Sequence, residues 1–186
     1  MNAQVRVWDP LVRVAHWTLV TCVLAAWLTA ELESEAGRRA HEWLGYAALA
    51  VIAVRVVWGW AGAGYARFSD FVRGPAQTMA YARLVAARAE PRYLGHNPLG
   101  GWMIVLLLVV IALVGLSGWL YTTDQYWGVE WVGQLHEALT NALLALVALH
   151  VGGVALASYR HRENLVAAML HGRKRAQSAE QDTGPE

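Results

Sequence analysis

The sequence predicts an all-α fold: a polytopic membrane four-helix bundle with a short amphipathic helix in the 62–97 connection on the cytoplasmic side. Three observations predict it. Hydrophobic residues make up 56% of the 186 and charged residues only 16%, against roughly 25% charged in an average soluble domain. Four stretches each supply the ~20 mostly apolar residues that carry a helix across a ~30 Å hydrocarbon core. The basic residues then gather in the segments that such a bundle places on one side. Ten Trp and seventeen Gly, common in membrane helices and at their interfaces, agree with this. The composition excludes a disordered chain, a collagen-like repeat and a nucleic-acid binder. The formal charge of +1 excludes nothing, because the sum hides where the charges sit. A single Cys, Cys22, excludes a disulfide framework, a CxxC redox pair and a CxxCH covalent haem site.

The first stretch, 11–30, reads as a retained helix rather than a signal peptide. Its apolar part exceeds a typical h-region, and TAELES follows where an A-x-A-like site would lie. The second covers 41–61. The 62–97 connection is long for a bundle loop. Within it PAQTMAYARLVAARAEP predicts an amphipathic helix, entered at Pro75 and closed before Pro91, with Arg83 and Arg88 on a polar face against the lipid headgroups. The third stretch, 98–120, includes WMIVLLLVVIALVGL, and the fourth covers 132–158. Each must be helical, since lipid offers no partner to an unpaired backbone amide. Residues 1–175 form one domain, and 176–186 are a polar tail expected to be disordered.

Positive charge sets the orientation. Twelve of the fifteen basic residues lie in the N-terminal segment, the 62–97 connection and the C-terminal segment. The opposite side has Arg38 and Arg39, offset by Glu31, Glu33, Glu35 and two acids in the 121–134 loop. Both termini are therefore expected in the cytoplasm.

Ionisable side chains inside spans are costly and are functional candidates by default. His16, His41, His136 and His150 all lie within or at the ends of spans. His136 and His150 are fourteen residues apart, almost four turns, so both share one helix face about 21 Å apart along the axis. With span directions alternating, the four sort by depth into two pairs, His41 with His136 at the outer level and His16 with His150 at the inner. Two stacked bis-histidine pairs suit two b-type haems, each iron taking an imidazole from both sides. Gly45, Gly115, Gly118, Gly133, Gly152 and Gly153 offer room for a flat macrocycle against the backbone. A histidine that merely packs and hydrogen-bonds is the plain alternative for any one position. Zinc is the competing metal, but HEALT lacks the second His of H-E-x-x-H. Arg55, fourteen residues after His41, reaches the inner level. There it either pairs with the inner haem's carboxylates or snorkels to the interface. His161 and His171 read as solvated surface residues. A haem-free four-helix transporter or scaffold is the alternative function, although carboxylates stand only at the outer rim, at Glu42 and Glu137.

DPLVRVAHW, VRVVWGWAGAGYARFSDF, GHNPLGG and ENLVAAMLHGRKR resemble the prokaryotic cytochrome b561 family over about residues 5 to 175. That family is similar to the cytochrome b subunits of nickel–iron hydrogenase and formate dehydrogenase. The resemblance implies two non-covalent haems b, held by His16, His41, His136 and His150. It also implies electron transfer in the bacterial inner membrane between quinone and a periplasmic redox protein, such as a c-type cytochrome or a dehydrogenase subunit. By match to the related formate dehydrogenase subunit, Asn97 in GHNP is the candidate quinone contact. Asn97 before Pro98 equally predicts an ordinary helix N-cap. The aromatic loop TTDQYWGVEW suits an anchor subunit of a larger periplasmic enzyme, and equally a membrane interface.

Overall fold

Asp9 opens the first long helix, α1 (Pro10–Ala30), in the computed structural model, which describes residues 3–176. The tail expected to be disordered therefore lies outside the described residues from position 177 onward. The Asp9 carboxylate accepts from the Leu11 N–H at 2.8 Å, and Pro10 takes the first helical position, where an N–H has no intrahelical partner. Ser34 caps α2 (Glu35–Ala61) in the same way, accepting from Gly37 at 3.0 Å. After a 3-10 turn at Gly64–Ala66 come the single turn α3 (Phe68–Phe71) and α4 (Pro75–Ala86). Asn97 caps α5 (Pro98–Tyr121), its Oδ1 accepting from Gly100 at 2.7 Å. The longest helix, α6 (Glu130–Arg160), is followed by α7 (Leu165–His171), which Gly172 closes in the left-handed conformation at φ 83°. Four of these helices, α1, α2, α5 and α6, are long and apolar enough to cross a membrane. They pack in chain order, α1 on α2, α2 on α5 and α5 on α6. The direct approach between α1 and α6 is slight.

An even number of spans returns both chain ends to one face, called here the termini end; the 31–34 and 122–129 connections form the hairpin end. The termini are tied together by a feature that hydropathy does not suggest. Strand β1 (Gln4–Arg6) pairs antiparallel with β2 (Arg173–Arg175), with Val5 opposite Lys174. Val7 and Trp8 then bury against Ala168 of α7.

The amphipathic helix of the connection forms, but α4 ends at Ala86 rather than just before Pro91. Its buried face carries Thr78, Tyr81, Ala82 and Val85, one stripe at helical spacing. Arg83 lies on the exposed face, whereas Arg88 is beyond the helix at φ 57°. Ala89 N–H bonds to Leu84 C=O and Arg88 N–H to Val85 C=O, a Schellman termination. The turn frees Glu90 to pair with Arg160 of α6 at 2.8 Å, a contact that a helix running on to residue 90 would forgo.

Candidate haem sites between the helices

Helix phase and capping fix where the four histidines fall. His41 and His136 each occupy the seventh position of α2 and α6, so both lie two turns inside the hairpin end. His16 is the seventh residue of α1, two turns inside the termini end, and His150 comes fourteen residues after His136 on α6. The structure brings them together as two pairs. The His41 and His136 ring centroids are 6.0 Å apart and the His16 and His150 centroids 6.4 Å. With metal–imidazole nitrogen bonds of about 2 Å, two rings on one iron stand with centroids about 6 Å apart. Both centroid separations suit a metal held between two imidazoles, and neither pair is in parallel stacking contact.

The hairpin-end pair is oriented by backbone. His41 Nδ1 donates to the Ala26 carbonyl of α1 at 2.8 Å. His136 Nδ1 lies 3.1 Å from the Val114 carbonyl and 3.0 Å from Ser117 Oγ, both on α5. A carbonyl only accepts, so each Nδ1 carries the proton and each Nε2 keeps its lone pair, the form a metal requires. Gly118 makes room for this ring, since a Cβ there would sit 3.0 Å from His136 Cε1. The termini-end pair has no such support: His16 Nδ1 is buried without a hydrogen-bond partner, and His16 is flanked by the edge of Trp17 at 5.1 Å.

The glycines divide in role. A Cβ at Gly45, Gly152 or Gly153 would meet nothing within 4 Å, leaving open space one turn from His41 and beside His150. Gly115 instead lets α5 approach Leu49 of α2, and Gly133 faces the Tyr121 ring. An open hollow of about 500 Å³ at the hairpin end is lined by Glu33, Ser34, Glu35, Arg38 and His41. Arg38 there is already paired, with Glu35 at 2.8 Å and Glu42 at 2.9 Å. Among the described residues, no group of three or more His, Cys, Asp or Glu side chains is set to hold a metal ion.

At the termini end Arg55 is only 5% exposed, so it does not snorkel. Its Nη1 is buried without a hydrogen-bond partner, and its guanidinium sits 5.2 Å from the Phe68 ring centroid. Asn97 is committed through Oδ1 to its cap. Beside it, burial and then Glu90 and Tyr93 push the Tyr81 phenol up to about 12, against the opposing pull of an Asn97 hydrogen bond and Arg160.

Sequence reasoning missed His96. Its ring is clasped between Trp8 at 4.5 Å and Phe71 at 4.9 Å, with Nδ1 buried and unpartnered. Burial, then Arg55, Lys174, His150 and His16, push its pKa down to about 3, so it is a neutral imidazole at physiological pH. The segment that carries it is latched. Lys174 Nζ donates to the Tyr93 and Leu94 carbonyls at 3.0 and 2.9 Å, and Arg92 pairs with Glu163 at 2.7 Å. The signal for His96 was its place beside Asn97 in GHNP; nothing local announced that the loop folds under Trp8. His161 is half-buried and His171 exposed, both away from the pairs.

Two imidazole pairs at metal-spanning separation, inside four helices long and apolar enough to cross a membrane, are the arrangement that a membrane cytochrome b requires. The model of one family, the prokaryotic cytochromes b561, matches residues 7–172, and the chain belongs to that family. No curated protein and no solved structure matches the chain. Membership implies haem b binding and a membrane electron-transfer function. The chain is a multi-pass membrane protein.

Proposed function

We propose that the chain is a di-haem cytochrome b that carries electrons across the bacterial inner membrane, between quinone at the cytoplasmic side and a periplasmic redox protein. The observation that carries this reading is the spacing of the two imidazole pairs, 6.0 and 6.4 Å between centroids, at two depths of one bundle. His16 with His150 would hold the inner haem and His41 with His136 the outer. When bound, haem supplies one-electron chemistry at an iron whose low-spin bis-imidazole ligation changes little between oxidation states. The chain's own part is to hold the rings apart, fix their tautomers and keep water from the interior.

The positive-inside pattern supports a cytoplasmic termini end. The hairpin end then faces the periplasm, with its acidic rim and exposed Trp127 and Trp131. A soluble c-type cytochrome or a dehydrogenase subunit would dock there. Arg55 would meet a propionate of the inner haem. Asn97 would contact a quinone headgroup through the second proton of its amide nitrogen, since its oxygen is held by the cap and the amide also bonds to Tyr81.

A redox difference spectrum with a pyridine haemochrome count on purified protein tests the proposal. Two haems b per chain, reducible by quinol in reconstituted membranes, are expected. No haem, or a single haem at full occupancy, overturns the reading.

A further inference from the structure

Four buried polar atoms without hydrogen-bond partners gather at the termini end, apart from the imidazole pair itself, and one of them, Glu90 Oε2, belongs to a carboxylate whose other oxygen is taken by Arg160. Arg55 Nη1 and Trp58 Nε1 lie one turn apart on α2, and His96 Nδ1 comes from the segment before α5. Among the described residues no acid pairs with Arg55; Asp9 acts on it only at a distance. A continuous set of rings links the two sides: Arg55 over Phe68, Phe68 against Phe71 at 5.7 Å, and Phe71 against His96. Arg55, His16 and His150 all act electrostatically on His96, so the ring chain and the inner pair meet at the same end of the bundle. A guanidinium buried in low dielectric without a partner is costly, and its planar fork matches a carboxylate. A neutral imidazole at the same end adds a donor without adding repulsion.

We propose that Arg55 and His96 together form a two-point receptor for one carboxylate, a propionate of the haem held between His16 and His150. This rests on the di-haem reading and extends it. His96 becomes a positioning residue, and the carboxylate supplies the counter-charge that no side chain supplies. The latch built from Lys174, Arg92 and Glu163 then has a purpose, since it fixes the loop that delivers the imidazole. Among the described residues the hairpin-end pair has no equivalent, because Arg38 there is already paired with two glutamates.

The test is spectroelectrochemistry of the purified holoprotein, with the inner haem identified as the one lost in His16→Ala. Arg55→Gln should lower the reduction equilibrium of that haem about tenfold, about 59 mV for one electron, and leave the outer haem unchanged. Arg55→Lys should keep part of the effect. His96→Phe, which preserves the ring between Trp8 and Phe71, should shift the same haem in the same direction by less. It should also move a carboxylate band in the redox-induced infrared difference spectrum, a readout that a packing role would leave alone. Should Arg55→Gln fail to assemble, Arg55→Lys and His96→Phe carry the test. Unchanged potentials and bands, or equal shifts of both haems, overturn the receptor while leaving the di-haem reading intact. A wild-type inner potential that follows added chloride or phosphate would mean a soluble anion occupies the site, and also overturns it. Wild-type protein without two haems would instead defeat the reading on which it rests.

Discussion

The two histidine pairs have nearly the same spacing but are supported by different means. At the hairpin end the imidazoles are oriented by helix backbone: Ala26 and Val114 carbonyls, with Ser117 alongside, fix the proton on Nδ1. At the termini end the imidazoles lack that scaffold. The order there comes from the surroundings: the β1–β2 pairing, the Trp8–His96–Phe71 sandwich and the Arg92–Glu163 and Arg160–Glu90 ion pairs. A site oriented by its own spans keeps its geometry if the connections change. A site enclosed by folded connections can be tuned, or lost, through residues far along the chain. Charge differs in the same sense, since Arg38 is paired at one end and Arg55 is buried and unpaired at the other.

The comparison breaks most directly at the ligands. His16→Ala and His150→Ala should give matching spectra in which the inner haem is lost or converted to high spin while the outer remains. His41→Ala and His136→Ala should form the second matching pair. Optical and EPR spectra of the four variants check this. A cross-match, His16 behaving like His136, would contradict the pairing seen at 6.0 and 6.4 Å.

Next in size is Gly118→Val on α5. Its Cβ alone would come within 3.0 Å of His136 Cε1, and that ring is already held by two partners and has little freedom to yield. The outer haem should fall to a small fraction of wild-type occupancy, while the inner haem is unaffected. A Gly45→Leu variant sharpens the point. A Cβ there meets nothing within 4 Å, so a selective loss of outer haem with the fold intact would show that the space belongs to the cofactor. Haem content per chain, with circular dichroism to confirm the fold, is the measurement.

Much of this was legible in the sequence. The four spans follow from unbroken apolar runs, and the pairing by depth follows from a fourteen-residue spacing on alternately directed helices. What was not legible depends on contacts far apart in sequence. QVR and RKR are too short and too polar to signal strands, and they pair only because an even number of spans returns both ends to one face. In the sequence Lys174 and Arg92 are only two of the twelve basic residues that set the orientation. Yet Lys174 is 6% exposed, because Glu163 at the turn after α6 collects them. Arg88 read as helical because its left-handed turn is set by the closing hydrogen bonds, not by its type. The burial of His96 needed Trp8 and Phe71, from two other parts of the chain, to arrive at the same place.

The third prediction concerns acid. Arg160 holds the Glu90 carboxyl below the usual carboxylate range. Burial would raise Glu163, but Arg92, the Arg175 N–H and Lys174 together lower it. A depressed folded pKa gives stability that is present above the unfolded value of 4.5 and is lost as pH falls through the folded value. Acidification should therefore disturb the inner haem's spectrum before the outer one's. Glu163→Gln should mimic the effect at neutral pH, costing about 3 kcal/mol for a broken buried pair. Thermal melts followed separately at the two haems decide it. A simultaneous loss of both would show that the latch supports the whole bundle rather than one end.

The smallest effect should come from Ser117→Ala, which probes how far backbone alone orients the outer pair. Ser117 Oγ donates to the Val114 carbonyl at 2.9 Å, so its lone pairs face the His136 Nδ1–H, 3.0 Å away. The same N–H also reaches that carbonyl directly at 3.1 Å. Removing a hydrogen bond behind a metal-bound histidine typically costs 10- to 100-fold in affinity, roughly, by freeing the ring and lowering its basicity. Here the carbonyl remains, and the deletion should free it to accept more strongly from Nδ1. The loss should therefore be about tenfold or less, seen as a small rise in the outer haem's potential with occupancy nearly intact. His41, whose Nδ1 has the single acceptor Ala26, is the internal reference, because its ring should not respond. A large loss of outer haem in Ser117→Ala would mean that the hydroxyl, not the helix backbone, sets the tautomer. The contrast between a backbone-oriented pair and a connection-enclosed pair would then narrow to His41 alone.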